Sequence, residues 1–318
     1  MCYRRVILRG TSFTSIYGMR LLLLLLCCWL STASFAQKDS TFITRFPQKW
    51  QVVPNLVFRR WQFSFNDNAG NLRRYRMGNL GAGLKGSYKG IALNLVVPVV
   101  RFYDIGEASL TDRIGVAIGF ERAKFYAYGS FFRFKGFESD APGEPTRSDI
   151  DAFYANVQGY YLRTGDKFSM SSSLGMVTRQ ENSKGSLLIS YLVNYQSVNA
   201  DSLPLLRGEQ SFNKFRNVAI GSGIGYAHNL SVNKWYLTAG GSVGAELQYD
   251  AFGTDNIEGE DFRFRIGPAA YAYGAFGYNG DRWFGGVLAR YAPGLSFEQS
   301  LSSNTDLIEA RLQVGVRL

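Results

Sequence analysis

The spacing of Gly81, Gly83 and Gly86 matches the G-x-G-x-x-G fingerprint of dinucleotide-binding proteins. In those proteins a strand precedes the glycines and a helix follows them, so that the helix N-terminus binds the pyrophosphate. Here residues 87–100 continue with the alternation typical of strands, and no helical period follows. We therefore interpret these glycines as small residues within a strand, and we predict no cofactor.

His228 is the one histidine of the chain, and Ser231 follows it three positions later. A serine and a histidine can form a hydrolytic pair if their side chains meet. On a strand, however, residues three positions apart point to opposite faces. We therefore assign no catalytic residue and interpret the protein as not an enzyme. The alternative is an enzyme that modifies lipid or lipopolysaccharide through His228.

An acidic stretch covers residues 250–261, and carboxylate oxygens are ligands for hard cations such as Ca²⁺. Its spacing does not fit an EF-hand loop, because Phe252 and Ile257 stand where oxygen ligands are required. We interpret the stretch as a solvated loop and predict no metal site. Its acidic residues are Asp250, Asp255, Glu258, Glu260 and Asp261.

Residues 1–36 have the features of a cleaved secretory signal peptide. Arg20 precedes the apolar run 21–30, and Ser34 and Ala36 are the small residues expected before a cleavage site. The run is shorter than the ~20 residues that a membrane-spanning helix needs. Cleavage would leave residues 37–318 as a single domain. It would also remove Cys2, Cys27 and Cys28, which are all the cysteines of the chain, and with them any thiol chemistry.

Composition excludes two other classes of protein. The chain has 318 residues, of which 35 are Gly and 15% are aromatic. This composition is too apolar for a disordered chain. The net charge is +10, but the basic residues are spread along the chain. A nucleic-acid-binding protein would cluster them on one face. We predict no nucleic-acid partner.

Beyond Gln37 the sequence alternates apolar residues with small or polar ones. In residues 234–248, for example, Trp235, Leu237 and Val243 alternate with Gly, Ser and Glu, and residues 310–318 repeat the pattern. Soluble sandwich strands average only ~5–6 residues. Strands near ~10 residues with one apolar face are typical of barrels that have lipid outside and polar groups inside. We predict an all-β fold, an antiparallel transmembrane β-barrel.

The number of strands needs an interpretation, because single-chain bacterial barrels normally have an even number. Either one of the candidate segments is not a barrel strand, or residues 203–212 contain another. We predict 12 strands, with 14 as the alternative. The candidates number thirteen: 51–65, 74–88, 91–103, 111–121, 124–136, 150–163, 167–181, 186–197, 216–230, 234–249, 262–278, 282–292 and 307–318.

Connections between the candidates differ in length, as barrels of this class require. Tight turns are predicted at Lys89-Gly90 and Asn279-Gly280, and long polar connections at 138–149 and 250–261. Tyr and Trp favour the membrane boundary, where they form aromatic girdles. The candidates for such girdles are Trp50, Trp61, Tyr126, Tyr128, Tyr191, Tyr195, Trp235, Tyr278, Trp283 and Tyr291.

Seven charged residues fall on the polar face of the last four strands. A charge facing lipid at mid-depth costs ~2–4 kcal/mol, so these side chains should point into the lumen. We interpret them as paired ions that hold a narrow barrel closed; the alternative is that they set the charge preference of a pore. We expect Glu246 to lie within ion-pair reach of at least one of Arg263, Arg265 and Arg290. The candidates are Glu246, Arg263, Arg265, Arg290, Glu309, Arg311 and Arg317.

Several motifs resemble one family of proteins. Residues 79–90 (NLGAGLKGSYKG) resemble an early hairpin of domain of unknown function 4421, a Bacteroidota outer-membrane β-barrel family with no established activity. Lys167-Phe168-Ser169 and residues 179–188 (RQENSKGSLL) resemble its central signature, and Gly225-Tyr226 and Lys234-Trp235 resemble a later hairpin. The resemblance covers residues 46–318 and implies an outer-membrane location without implying a chemistry.

We therefore predict an exported outer-membrane β-barrel, either structural or a small-solute pore or binding barrel. Its surroundings would be outer-membrane lipid, and we expect a monomer. A barrel that anchors a periplasmic or surface protein partner is a further alternative, with residues 200–213 or the acidic loops as the docking segment.

Overall fold

The structure is a computed structural model that describes residues 39–66, 72–101, 115–122, 124–140, 146–203, 212–253, 261–293 and 303–318. Residues 1–36, interpreted above as a signal peptide, lie outside these ranges. No helix in the described ranges is long and apolar enough to cross a membrane. The strands are β1 (Ile43–Arg45), β2 (Trp50–Asn66), β3 (Leu72–Tyr88), β4 (Ile91–Arg101), β5 (Gly115–Arg122), β6 (Phe125–Ser139), β7 (Thr146–Leu162), β8 (Thr178–Gln180), β9 (Lys184–Leu203), β10 (Phe212–Val232), β11 (Trp235–Gly253), β12 (Asp261–Asn279), β13 (Trp283–Ala292) and β14 (Ser303–Arg317).

Twelve of these strands form a closed barrel with antiparallel neighbours. Most neighbours in space are also neighbours in sequence, but β3 also makes a short pairing with β6, and β7 pairs directly with β9. The strand between them, β8, leaves the wall and pairs with β1 in a separate two-stranded sheet. Pairing of β14 with β2 closes the barrel. The predicted all-β, twelve-stranded antiparallel barrel is confirmed, and the alternative of fourteen is wrong.

The alternation of residue types determines which face of the wall each side chain occupies. In β11, Tyr236 and Thr238 are buried in the lumen, whereas Leu237 and Val243 are at least half exposed on the outside. Successive side chains of a strand point to opposite faces, so one apolar face and one polar or small face suffice to define inside and outside. Most of the barrel wall keeps this parity, which shifts at irregularities of the register between Leu80 and Gly81 of β3 and between Lys135 and Phe137 of β6.

The two ends of the barrel differ. At the end where β2 begins and β14 ends, here called the terminal end, the Leu318 N–H donates to the Trp50 carbonyl at 3.0 Å. Lys89 and Gly90 join β3 to β4 there with φ of 48° and 91°, as a tight hairpin turn requires. Asn279, predicted to lie in a turn, is instead the last residue of β12. The connections at the other end, the loop end, lie outside the described residues.

One predicted strand is wrong. Residues 163–183, here called the inner segment, lie inside the lumen at the terminal end. The Leu174 N–H donates to the Met170 carbonyl at 3.0 Å, so the chain turns here instead of extending. Phe168 and Met176 are fully buried. The segment alternates apolar and polar residues because its apolar side chains pack into the lumen and its polar ones bond to the wall. Removing this candidate from the thirteen leaves twelve.

Aromatic side chains occupy two kinds of position. Trp50, Trp235 and Trp283 lie on the outer face at the terminal end, as expected for a girdle. Trp61 and Tyr126, also predicted for a girdle, instead face the lumen and are buried. Near the loop end Trp61 belongs to an aromatic cluster that fills part of the lumen; its other aromatic members are Phe63, Tyr75, Phe132, Phe134, Phe137, Tyr154 and Phe215.

Candidate functional site

An ion cluster crosses three adjacent strands of the lumen wall. Register places Arg290 of β13 opposite Glu309 of β14, and Glu309 opposite Arg59 of β2. The Glu309 carboxylate accepts hydrogen bonds from Arg59 Nε and from Arg311 Nη2, both at 2.9 Å. The side chains of all three are 4% exposed. Two guanidinium groups thus share one buried carboxylate, a charge-assisted arrangement with both carboxylate oxygens occupied.

Two more cations of this region bond to neutral groups. The Lys85 ammonium donates to Gln313 Oε1 at 3.0 Å and to the Gly175 carbonyl of the inner segment at 3.1 Å. The Arg290 guanidinium lies 4.0 Å from the centre of the Tyr128 ring. A cation over an aromatic face gains a modest attraction. We call Arg59, Lys85, Arg290 and Arg311 the cationic cluster.

Arg317 binds the inner segment and not a carboxylate. Its Nη2 donates to the Met176 carbonyl at 2.7 Å and to Asn279 Oδ1 at 2.5 Å, and Nη1 donates to the Gly280 carbonyl. Its guanidinium also lies 3.5 Å from the centre of the Phe46 ring. Arg317 therefore positions the inner segment and the chain that leads into β2.

Glu246 and Arg265 lie in another part of the lumen. Arg265 Nε is 2.8 Å from Asp250 Oδ2, and both side chains are buried. The Glu246 carboxylate accepts a hydrogen bond from Gln248. The side chain of Arg263 lies outside the described residues, so the expected pairing of Glu246 with an arginine stays a prediction there. Six of the seven predicted residues thus separate into the Arg290–Glu309–Arg311 group, the Glu246–Arg265 region and Arg317, and the seventh is Arg263.

A polar recess lies between the aromatic cluster and the inner segment. It has a volume of about 90 Å³ and lies against β7 and β9–β12. Asn194 Oδ1 accepts hydrogen bonds from the Asn156 amide and, at 3.3 Å, from the Tyr154 hydroxyl. Neutral amides and hydroxyls line it together with the charged Glu246 and Arg265 and with apolar groups such as Ala219 and Leu307. The neutral polar residues of the lining are Tyr154, Asn156, Gln158, Tyr160, Ser190, Asn194, Gln196, Asn217, Ser222, Ser242, Gln248 and Tyr271.

Our sequence analysis missed this recess, although a signal was present. Asn156 and Gln158 are two residues apart, as are Asn194 and Gln196, so each pair lies on one face of its strand. Val157 and Tyr195, at the intervening positions, are exposed on the outer face. Polar amides alternating with apolar residues therefore mark an inner wall that can form hydrogen bonds.

The inner segment is held by side chains from many strands. Asn279 donates to the carbonyls of Ser172 and Thr178, both at 2.9 Å. The Asn229 amide donates to the Ser169 carbonyl at 3.1 Å. The Glu121 carboxylate accepts from the Ser171 N–H at 2.6 Å and from the Ser169 hydroxyl at 2.8 Å. Because β5, β10 and β12 all contribute, the segment crosses the lumen and does not merely line one wall.

The other motifs are separated from the lumen contacts. His228 is on the outer face, where its Nδ1 lies 3.2 Å from the Tyr226 hydroxyl. The Ser231 N–H donates to Ser183 Oγ at 2.9 Å. The glycines of the G-x-G-x-x-G spacing lie within β3, which continues to Tyr88. Of the acidic stretch, residues 254–260 lie outside the described ranges; within those ranges no group of three or more His, Cys, Asp or Glu residues could hold a metal ion.

Several solved structures of bacterial proteins are similar to this chain in fold. The outer membrane protease OmpT of Escherichia coli is 8% identical, with a TM-score of 0.43, over 86% of this chain and 97% of that one. The translocator domain of the autotransporter NalP of Neisseria meningitidis is 8% identical, with a TM-score of 0.34, over 95% and 98%. The toluene transporter TodX of Pseudomonas putida is 9% identical, with a TM-score of 0.31, over 86% and 90%.

These barrels include an enzyme and transport proteins, so the likeness is one of fold alone. A comparison with curated protein sequences finds no match. A family match, in contrast, covers nearly the whole described barrel, from residue 37 to residue 317. The chain belongs to the family described as Domain of unknown function (DUF4421).

Proposed function

We propose that this protein is an outer-membrane barrel that binds a small polar solute in its lumen and that its own inner segment closes the terminal end. The observation that carries the proposal is the inner segment itself, which bonds to inward-facing side chains of β3, β5, β10, β12 and β14. A lumen crossed in this way is a binding cavity and not an open diffusion pore.

The outer face supports a membrane location. Leu56, Leu84, Val97 and Ile224 are each between 45% and 71% exposed, on strands distributed around the wall. An exposed apolar surface of this extent on a closed barrel is what lipid requires and water opposes. At the terminal end the rings of Trp50 and Tyr88 lie 4.5 Å apart on this face, as in an interfacial girdle. The proposed route to the outer membrane includes removal of residues 1–36.

The recess supports binding of a small polar molecule. Amide and hydroxyl groups can both donate and accept hydrogen bonds, so they suit a solute with several hydroxyl or amide groups. The proposed role is binding and not catalysis. It is supported by the position of His228, which bonds to Tyr226 on the outer face, away from the recess.

Conductance of the purified protein in planar lipid bilayers tests the closure. We expect low conductance for the natural chain. The double variant Asn229→Ala/Asn279→Ala removes four hydrogen bonds to the inner segment and should increase the frequency or size of openings. Gln62→Ala is the matched control, because its side chain contacts Arg60 at the loop end. A natural protein that conducts steadily, as an open pore does, would contradict the proposal.

Binding in the recess has its own test. Unfolding temperature is measured with a panel of small neutral solutes that carry hydroxyl or amide groups, because a ligand that binds the folded state raises it. Asn194→Leu keeps a similar volume but removes the acceptor shared by Asn156 and Tyr154. We expect a saturable rise with at least one solute in the natural protein and a smaller one in Asn194→Leu. Equal responses in both proteins, or none in the natural one, would count against the recess as the binding site.

A further inference from the structure

The cationic cluster contains more positive charge than its carboxylates neutralise. Arg59 and Arg311 share Glu309. Lys85 bonds to an amide oxygen and a carbonyl, and Arg290 lies over an aromatic ring. Glu121, the other carboxylate that bonds to the inner segment, accepts hydrogen bonds from Ser169 and Ser171. Among the described contacts, Glu309 is therefore the one carboxylate that bonds to any of these four cations, each of which is 8% exposed or less.

Several donors of this cluster have no hydrogen-bond partner among the described atoms. They are Arg290 Nε, Arg290 Nη1, Arg311 Nε and Arg59 Nη2, and all are shielded from solvent. A buried N–H without an acceptor loses its hydration and gains nothing in exchange. When that N–H belongs to a guanidinium, the cost is larger because the group also carries charge. Native structures rarely keep such groups without a partner.

A small cavity lies among three of these cations, beside the inner segment. Its volume is about 30 Å³, and Lys85, Arg290 and Arg311 all line it. The neutral groups around it include Asn94, Tyr126 and Gly175. A volume of this size admits one or two water-sized particles. It is too small for a sugar or an amino acid, so the polar recess and this cavity accept different occupants.

We propose that this cavity binds a small inorganic anion of halide size, held by Lys85, Arg290 and Arg311. A single negative charge there would accept hydrogen bonds from the unpartnered guanidinium N–H groups and reduce the repulsion among the three cations. Since Lys85 also bonds to Gly175 of the inner segment, the anion would strengthen the attachment of that segment to the wall.

The experiment follows the unfolding temperature of the purified protein as chloride replaces gluconate at constant ionic strength. Gluconate is too large for the cavity, so general screening is held fixed while the small anion changes. We expect a saturable rise of about 2–4 °C in the natural protein. A flat response would overturn the proposal.

Two variants make the test specific to this cavity. Arg290→Met removes one lining cation for which no protein acceptor is described, so it should fold, lose most of the chloride response and be no less stable than the natural protein in gluconate. Arg133→Gln is the matched control, because it removes an exposed arginine that pairs with Asp151 on the wall. An unchanged chloride response in Arg290→Met, or a lost response in Arg133→Gln, would refute the assignment.

Bromide soaked into crystals gives an independent readout by anomalous scattering. We expect a peak between Arg290 and Lys85 in the natural protein and a much weaker one in Arg290→Met. Peaks confined to the outer surface would contradict the proposal, whatever the unfolding temperatures show. These measurements do not involve the polar recess, so the anion site and the proposed solute site can fail separately.

Discussion

Two neighbouring arginines depend on the carboxylate of Glu309. Arg59 and Arg311 each donate to a different oxygen of it, and all three side chains are excluded from water. Buried ion pairs add little net stability when complete, but the loss of one partner leaves the other charge uncompensated. Glu309 therefore adds little net stability while its pairs are complete, but its removal would leave two buried guanidinium charges uncompensated.

Glu309→Gln should lower the free energy of unfolding by about 3–5 kcal/mol, the usual cost of breaking a buried pair. Asp151→Asn removes the carboxylate of an exposed pair with Arg133, and its cost should stay within about 1 kcal/mol. Urea unfolding in lipid vesicles measures both. Equal costs for the two variants would show that the lumen around Glu309 is well hydrated.

At the rim of the terminal end, Asp281 links the inner segment to the wall. It accepts hydrogen bonds from Lys234 and from Arg179 of β8, and these lower the pKa of Asp281 to about 2, against 3.8 for a free carboxyl. The same contact with Asp281 raises the pKa of Lys234. Because the folded state holds Asp281 ionised, this contact stabilises the protein above the unfolded pKa and loses its effect as the pH falls through the folded one.

The unfolding temperature of the natural protein should therefore fall more than that of Asp281→Asn between pH 4 and about pH 2, and the two curves should converge at the acid end. The difference should be small, because Asp281 is largely exposed and solvent screens its pairs. Scanning calorimetry of both proteins over this range measures it. Parallel curves would mean that Asp281 contributes no pH-dependent stability.

Among the elements, β10 and β11 approach each other closely at glycines. A Cβ placed on Gly244 would collide with the backbone carbonyl of Ser222. Backbone atoms cannot move aside as a flexible side chain does, so this position admits no larger residue without separating the two strands.

Gly244→Val should reduce the folded fraction of the protein, seen as a weaker heat-modifiable band on gels. Gly86→Val is the matched control, since it lies in a strand of the same barrel and a Cβ there would meet nothing within 4 Å. The control should fold as the natural protein does. Normal folding of Gly244→Val would mean that β10 and β11 can separate locally at little cost.

The inner segment shows where a strand pattern fails as a predictor. Phe168 and Met170 alternate with Ser169 and Ser171 as in a wall strand, and all four are buried. Alternation reports two environments, and the lumen supplies both an apolar packing surface and polar wall groups. Alternation with a period of two residues identified the twelve wall strands, because a wall strand has lipid on one side and the lumen on the other. Inside the barrel, the same alternation does not require an extended chain.

Long-range partners are the part of the lumen that the sequence leaves open. Strand parity places six of the predicted charged residues on the polar faces of their strands: Glu246, Arg265, Arg290, Glu309, Arg311 and Arg317. Their partners do not, because they depend on barrel register: Arg59 of β2 meets Glu309 only when β14 closes on β2. Asp250, the partner of Arg265, belongs to the stretch that we interpreted as a solvated loop.

For the whole molecule, β14 offers the most direct test of how the barrel lies in a bilayer. Arg311, Gln313 and Arg317 are buried in the lumen, whereas Leu312 and Val314 are more than half exposed on the outer face. Residues on one face of a strand share one environment, so replacing each position from 310 to 318 by Cys in turn should give an alternating pattern with a lipid-soluble thiol reagent. We expect labelling at positions 312 and 314 and protection at 311 and 313.

The natural cysteines all precede Gln37, so a chain that begins there gives no background. The matched control is the same scan in detergent-free urea, where every position should react equally. Labelling at 311 and 313 in the bilayer, or no alternation, would contradict a barrel that presents this face of β14 to lipid.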